Sequence, residues 1–113
     1  MEESLLMNDT TKMAFDVILL AGDARTECEN ALVALENDED DKIDGFMEKA
    51  EKKITEAHKI HTEALQNEIS NPGSSEYSML FAHSQDTLMT INSEILIAKH
   101  LIKIYRKINQ KLK

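Results

Sequence analysis

Apolar residues recur at three- and four-residue steps along most of this chain, the spacing of a helix face rather than of a strand. Ala14, Val17, Ile18, Ala21, Ala24 or Arg25, Cys28, Ala31, Leu32 and Leu35 outline one buried stripe. It stops at Glu36-Asn37-Asp38-Glu39-Asp40-Asp41, where short polar side chains compete with the helical backbone and acids favour the next helix start. A second stripe runs through Ile43, Phe46 or Met47, Ala50, Ile54, Ala57, His61, Ala64 or Leu65, and Glu68 or Ile69. Asn71 before Pro72 is pushed out of the helical region, and Gly73 permits the turn. The pattern predicts three helices at about 10–36, 40–70 and 76–111, with the segment before Asn8 mobile or only loosely helical. Two short connections fold them into an antiparallel, all-α, up-down-up bundle, a single domain over 1–113.

The third helix differs from the others. Leu88, Ile91, Ile95, Ala98, Ile102 and Tyr105 form one stripe; Met89, Ser93, Ile97, Leu101 with Ile104, and Ile108 form another, with Asp86 at its upstream end. Such a helix must be covered on more than one side. One face packs on its own chain, and the other implies a partner.

Composition fits this picture: aromatics make up 4% of the 113 residues, so core volume comes from Leu, Ile, Ala and Met. The N-terminus lacks a basic signal-peptide flank and no apolar run spans a bilayer, which predicts a cytoplasmic protein. A lone Cys28 on an apolar stripe reads as a small core residue in a reducing compartment. Gly22, costly inside a helix, reads as a point of close helix approach, and Asp23 and Arg25 as ion-pairing residues. The net charge is −8, but residues 99–113 hold six basic residues and no acid, leaving −14 on the first 98. A basic excess confined to the final turns argues against nucleic acid and complements a helix C-terminus; docking of this end to an acidic membrane is a further reading.

Candidate chemistry gathers near the start of the third helix. His83 and Asp86, one turn apart, share one of the inward faces of this helix. Folding the chain about its turns at ~1.5 Å per residue places His83 level with residues 62–63 of the second helix and Met13 to Val17 of the first, so His61, Thr62 and Leu65 are its expected neighbours. From spacing alone His83 reads as an interface histidine and Asp86 as a capping or ion-pairing residue. His58 and His61 share a face, but two ligands make a poor zinc site.

Ala21-Gly22-Asp23-Ala24-Arg25, Glu56-Ala57-His58, and His83-Ser84-Gln85-Asp86 followed by Leu88-Met89-Thr90 resemble, in order over roughly residues 13–110, the lactose/cellobiose-type IIA components of the bacterial phosphoenolpyruvate-dependent sugar phosphotransferase system. The resemblance implies a homotrimer, a nine-helix bundle. It implies that His83 accepts a phosphoryl group on Nε2 from the phosphorylated histidine carrier protein and gives it to a cysteine of the IIB component. The IIB partner then phosphorylates a β-glycoside such as cellobiose or lactose entering through the IIC permease, so contact with the membrane is indirect. Asp86 is implied to meet its two symmetry mates around one Mg2+ ion per trimer.

Those roles are chemically coherent. Imidazole is a nucleophile when neutral, and its phosphorylated form is a reactive donor. No nucleotide-binding glycine loop occurs, which favours a protein donor. Gln85 and His61 are candidate phosphoryl-supporting residues, Gln85 across a chain boundary because it diverges from His83 by roughly 200° on one helix. One carboxylate is a poor magnesium site, whereas three around an axis, with waters, supply octahedral oxygen ligands. The family usually has His where this chain has Thr87 and Gln where it has His61, so the surroundings of His83 differ. The alternative reading is a non-catalytic trimeric helical adaptor or regulatory protein in which His83 is unreactive.

Overall fold

A computed structural model of the chain describes residues 9–70 and 79–112. These form three helices: α1 (Asp9–Glu36), α2 (Asp40–Ser70) and α3 (Met79–Leu112). The expected behaviour of the segment before Asn8, the turn at Asn71-Pro72-Gly73 and the first residues of the third helix fall outside the described residues. The molecule is a rod of about 65 × 24 × 18 Å.

Small residues on α1 determine how the rod is assembled. Its buried stripe is Ala14, Val17, Ala21, Ala24, Cys28, Ala31 and Ala34. Side chains this short let α2 approach closely with Ile43, Met47, Ala50, Ile54 and Ala57, and the α1–α2 contact is the most extensive in the fold. α3 lies mainly against α1, while α2 and α3 touch least. Leu88, Ile91, Ile95, Ala98 and Ile102 carry α3 into the common core. Cys28 is buried and free, and burial raises its thiol above the ordinary range.

The first turn is made by a residue that rarely makes one. α1 ends with the Glu39 N–H donating to the Ala34 carbonyl at 2.8 Å and the Asp38 N–H to that of Leu35 at 3.3 Å. That paired closure needs a left-handed residue, and Asp38 supplies it with φ 58°. The last turns of α3 lie beside this loop: the Tyr105 hydroxyl donates to Asp38 Oδ1 at 2.7 Å and Arg106 pairs with Asp44 at 3.0 Å. Lys99 pairs with Glu51 further along α2. The basic end of the chain is thus set against the acidic turn, beyond any effect on its own helix dipole.

The alternatives left open on α2 resolve to Ala64, which is buried, over Leu65, and to half-buried Glu68 over Ile69, which is 71% exposed. One expectation is corrected. Gly22 is not a point of close approach within the chain, since a Cβ at that position would meet nothing within 4 Å. Asp23 and Arg25 are ion-pairing residues as expected, each across the bundle: Arg25 grips Glu94 through two 2.9 Å hydrogen bonds, and Asp23 faces Lys53 at 4.0 Å.

Candidate functional site at the start of α3

Which way His83 points follows from its neighbours' burial. Phe81, Ser84, Leu88 and Ile91 occupy the inward face of α3 and are all buried. That stripe fixes the rotation of the helix, and residues two and five positions after Phe81 are carried to the other side. His83 and Asp86 are accordingly exposed, while Gln85 and Thr87, on either side of Asp86 in sequence, are half-buried. The inward face expected for His83 is therefore an outward one in the single chain. The buried Ser84 hydroxyl donates to the Phe81 carbonyl at 2.7 Å, satisfying itself within the helix. His83 makes no hydrogen bond or ion pair with the described residues, which leaves its ring nitrogens open to another molecule.

The second stripe of α3 is exposed too. Met89, Ile97, Leu101, Ile104 and Ile108 each keep 50–59% of their surface in solvent. Ile97 and Leu101 also line an open groove between α1 and α3, with Arg25, Cys28, Leu32 and Glu94. Asp86 stands at the upstream end of this apolar face. Among the described residues of one chain no three His, Cys, Asp or Glu side chains come together to hold a metal ion, so neither Asp86 nor the His58–His61 pair forms a site within one chain.

His61 is brought to the level of His83, but its ring does something else. It stacks on Phe81 with centroids 5.5 Å apart and planes 10° from parallel. Its Nε2 is buried without a hydrogen-bond partner. Burial, and then the proximity of His58, hold this imidazole below the ordinary histidine range. Phe81 is thus a contributor that spacing did not single out. Its signal was an aromatic on the inward face two residues before His83.

A model of the family described as "PTS system, Lactose/Cellobiose specific IIA subunit" matches residues 12–106. The chain belongs to the lactose/cellobiose-specific IIA family. It is 37% identical over 95 residues to the lactose-specific EIIA component of the phosphotransferase system (PTS) from Staphylococcus epidermidis, covering 84% of this chain and 90% of that protein. The PTS lactose-specific EIIA component of Lacticaseibacillus casei is 35% identical over 104 residues, 90% of each chain. The crystal structure of the PTS cellobiose-specific enzyme IIA from Bacillus anthracis superimposes with a TM-score of 0.83 at 30% identity, covering 96% of this chain and 98% of that one. IIA membership makes the chain a component of the sugar phosphotransferase system with a phosphoryl-transfer role. Among the described residues, no helix of this IIA chain is long and apolar enough to cross a membrane.

Proposed function

We propose that His83 is the phosphoryl acceptor of this IIA chain. The observation that carries the reading is the orientation of a single turn: Phe81, Ser84 and Leu88 pack it from inside, so His83 stands outward, with no hydrogen bond or ion pair among the described residues. The lone pair of His83 Nε2 attacks the phosphorus of a phosphohistidine on the histidine carrier protein. A nitrogen–phosphorus bond forms at His83 as another breaks, and the carrier imidazole leaves with the bonding electrons. In the second step a cysteine thiolate of the IIB component attacks the same phosphorus and His83 leaves. Such exchange needs orientation more than covalent machinery, which suits an exposed imidazole on a helix turn packed from inside. The onward acceptor is a β-glycoside such as lactose or cellobiose, phosphorylated by IIB as it enters through the IIC permease.

The working unit is a homotrimer. The half-exposed stripe Met89, Ile97, Leu101, Ile104 and Ile108 on α3 is the face that copies of the chain cover. Closing a threefold ring joins unlike surfaces, and Phe15, Leu19 and Val33 on α1 expose a complementary apolar strip. Three Asp86 carboxylates, one from the upstream end of that stripe in each copy, would converge and hold one Mg2+ ion. Bound there, the ion supplies charge neutralisation that lets the three acids be buried together. Gln85, half-buried beside His83 in sequence, serves as a hydrogen-bond donor across the chain boundary.

The test is phosphorus NMR after incubation with phosphoenolpyruvate, enzyme I and the histidine carrier. A phosphoimidazole resonance in the native protein that is lost in His83→Ala is the expected result. A folded trimer that stays unmodified with a competent donor overturns it in favour of the adaptor reading.

A further inference from the structure

The His61–Phe81 stack is the tie by which α2 holds the first turns of α3. α2 and α3 have the least contact of any helix pair, and among the described residues every ion pair of α3 lies at Glu94 or beyond. Upstream of that, an aromatic sandwich joins the two helices. Phe81 is itself buried, and its carbonyl is held by Ser84. His83 follows Phe81 by two residues on the opposite side of the same turn, so any lift or rotation of Phe81 moves His83 directly.

His61 is made to hold that tie in one protonation state. An unpaired acceptor costs less to bury than an unpaired N–H, so the neutral ring keeps its proton on Nδ1 and leaves the sealed Nε2 as a lone pair. Protonation would put a charged N–H at the same sealed position with no acceptor, a much costlier arrangement. The charged ring must leave the stack to reach water. The titratable groups at this level are His58, Glu63 and Glu68 on α2, Lys12 and Asp16 on α1, and His83 and Asp86 on α3. None hydrogen-bonds His61, and His58 opposes a charge on it.

We propose that His61 is a positioning residue for His83, clamping Phe81 and the turn that carries the acceptor while its ring is neutral and releasing them when it is protonated. This rests on the reading of His83 as acceptor. It gives His61 a role that needs no contact with the phosphoryl group, and it makes phosphoryl acceptance fall with acid more steeply than loss of the His83 nucleophile alone would cause.

The experiment is single-turnover transfer from the phosphorylated histidine carrier between about pH 5 and 8, comparing native protein with His61→Phe, which keeps an aromatic stack but cannot titrate. The ratio of His61→Phe to native rate cancels the donor's own pH dependence. Whatever its value at the alkaline end, it should be constant there and climb by about tenfold per pH unit below the His61 midpoint, the signature of one extra proton. Phe81→Leu, which removes the other ring, should slow transfer throughout and lack the extra proton dependence. A ratio flat across the range overturns the proposal. A second readout needs no donor: in NMR titrations the Phe81 ring signals should shift with the His61 midpoint in native protein and not in His61→Phe. Phe81 signals indifferent to His61 overturn the clamp even if His83 is phosphorylated. Rings that titrate together in a protein that takes no phosphoryl group leave the clamp standing and remove the acceptor reading instead.

Discussion

The hydroxyl of Tyr105 donates to Asp38, 67 positions earlier, and so fastens the last turns of α3 to the loop that reverses the chain between α1 and α2. The same Asp38 pays a conformational penalty, because its φ of 58° crowds its Cβ by roughly 1–2 kcal/mol. Asp38→Gly therefore removes strain and an acceptor at once. In a Tyr105→Phe background only the strain remains, and Asp38→Gly should raise the melting temperature there by more than it does in native protein. The hydrogen bond to Asp38 also raises the Tyr105 phenol above its ordinary range. A phenol raised in the fold contributes stability that is present below its unfolded pKa and lost as pH rises through the folded one. Ultraviolet titration should show one phenolate forming late, and Asp38→Asn should bring it earlier.

His61 gives the opposite sign at the other side of neutrality. Its folded-state pKa lies below the unfolded value of about 6.5. The unfolded chain therefore binds the extra proton first, and the stability His61 allows above about pH 6.5 is lost as pH falls toward the folded value. Chemical denaturation between about pH 5 and 8 should show native protein losing stability with acid more steeply than His61→Gln.

The exposed α3 face predicts its own disruption. Replacing Ile97 and Ile104 by Asp places charges where copies of the chain would meet, on a different face of α3 from the core residues Ile95 and Ile102. Sedimentation should shift from trimer to monomer, with helical circular dichroism retained. Loss of helicity in step with loss of the trimer would show instead that α3 cannot fold uncovered.

Asp86→Asn separates metal from assembly. If three carboxylates share one ion, chelation should lower the native melting temperature and magnesium should restore it. The Asn variant should be insensitive to both, because three neutral amides neither repel nor bind the ion strongly.

Gly22 sits inside α1 with open space around it and Thr26 donating to its carbonyl at 3.2 Å. Gly22→Ala should stabilise the helix by about 0.5–1 kcal/mol through backbone entropy, read as a rise in denaturation midpoint.

Periodicity revealed the helices and, in α3, both stripes, because a helix turned toward two neighbours repeats apolar residues at two phases. Matching levels along the rod placed His61, Met13 to Val17 and His83 together, since rise per residue is nearly constant. Level says nothing of rotation, however, and His61 turned its ring to Phe81. Leu65 and Ala64 illustrate the same limit: adjacent apolar positions differ by about 100° around the axis, and only packing decides which one is inside. Gly22 misled because a glycine signals that space is available to a neighbour, and in this chain no neighbour takes it. Asp38 was one of several polar residues in the acidic turn, any of which composition would allow at the left-handed position.

The ties along α3 are distributed unevenly. Among the described residues, Arg25–Glu94, Lys99–Glu51, Arg106–Asp44 and Tyr105–Asp38 all lie at Glu94 or beyond, while the turns before it include buried Phe81 stacked on the flat ring of His61. Amide protons along α3 should then exchange in a gradient, slowest between Ile91 and Ile102 and fastest toward Met79. His83 sits on the part of the helix that breathes most readily, so a docking protein can reshape the acceptor turn without prying open the core.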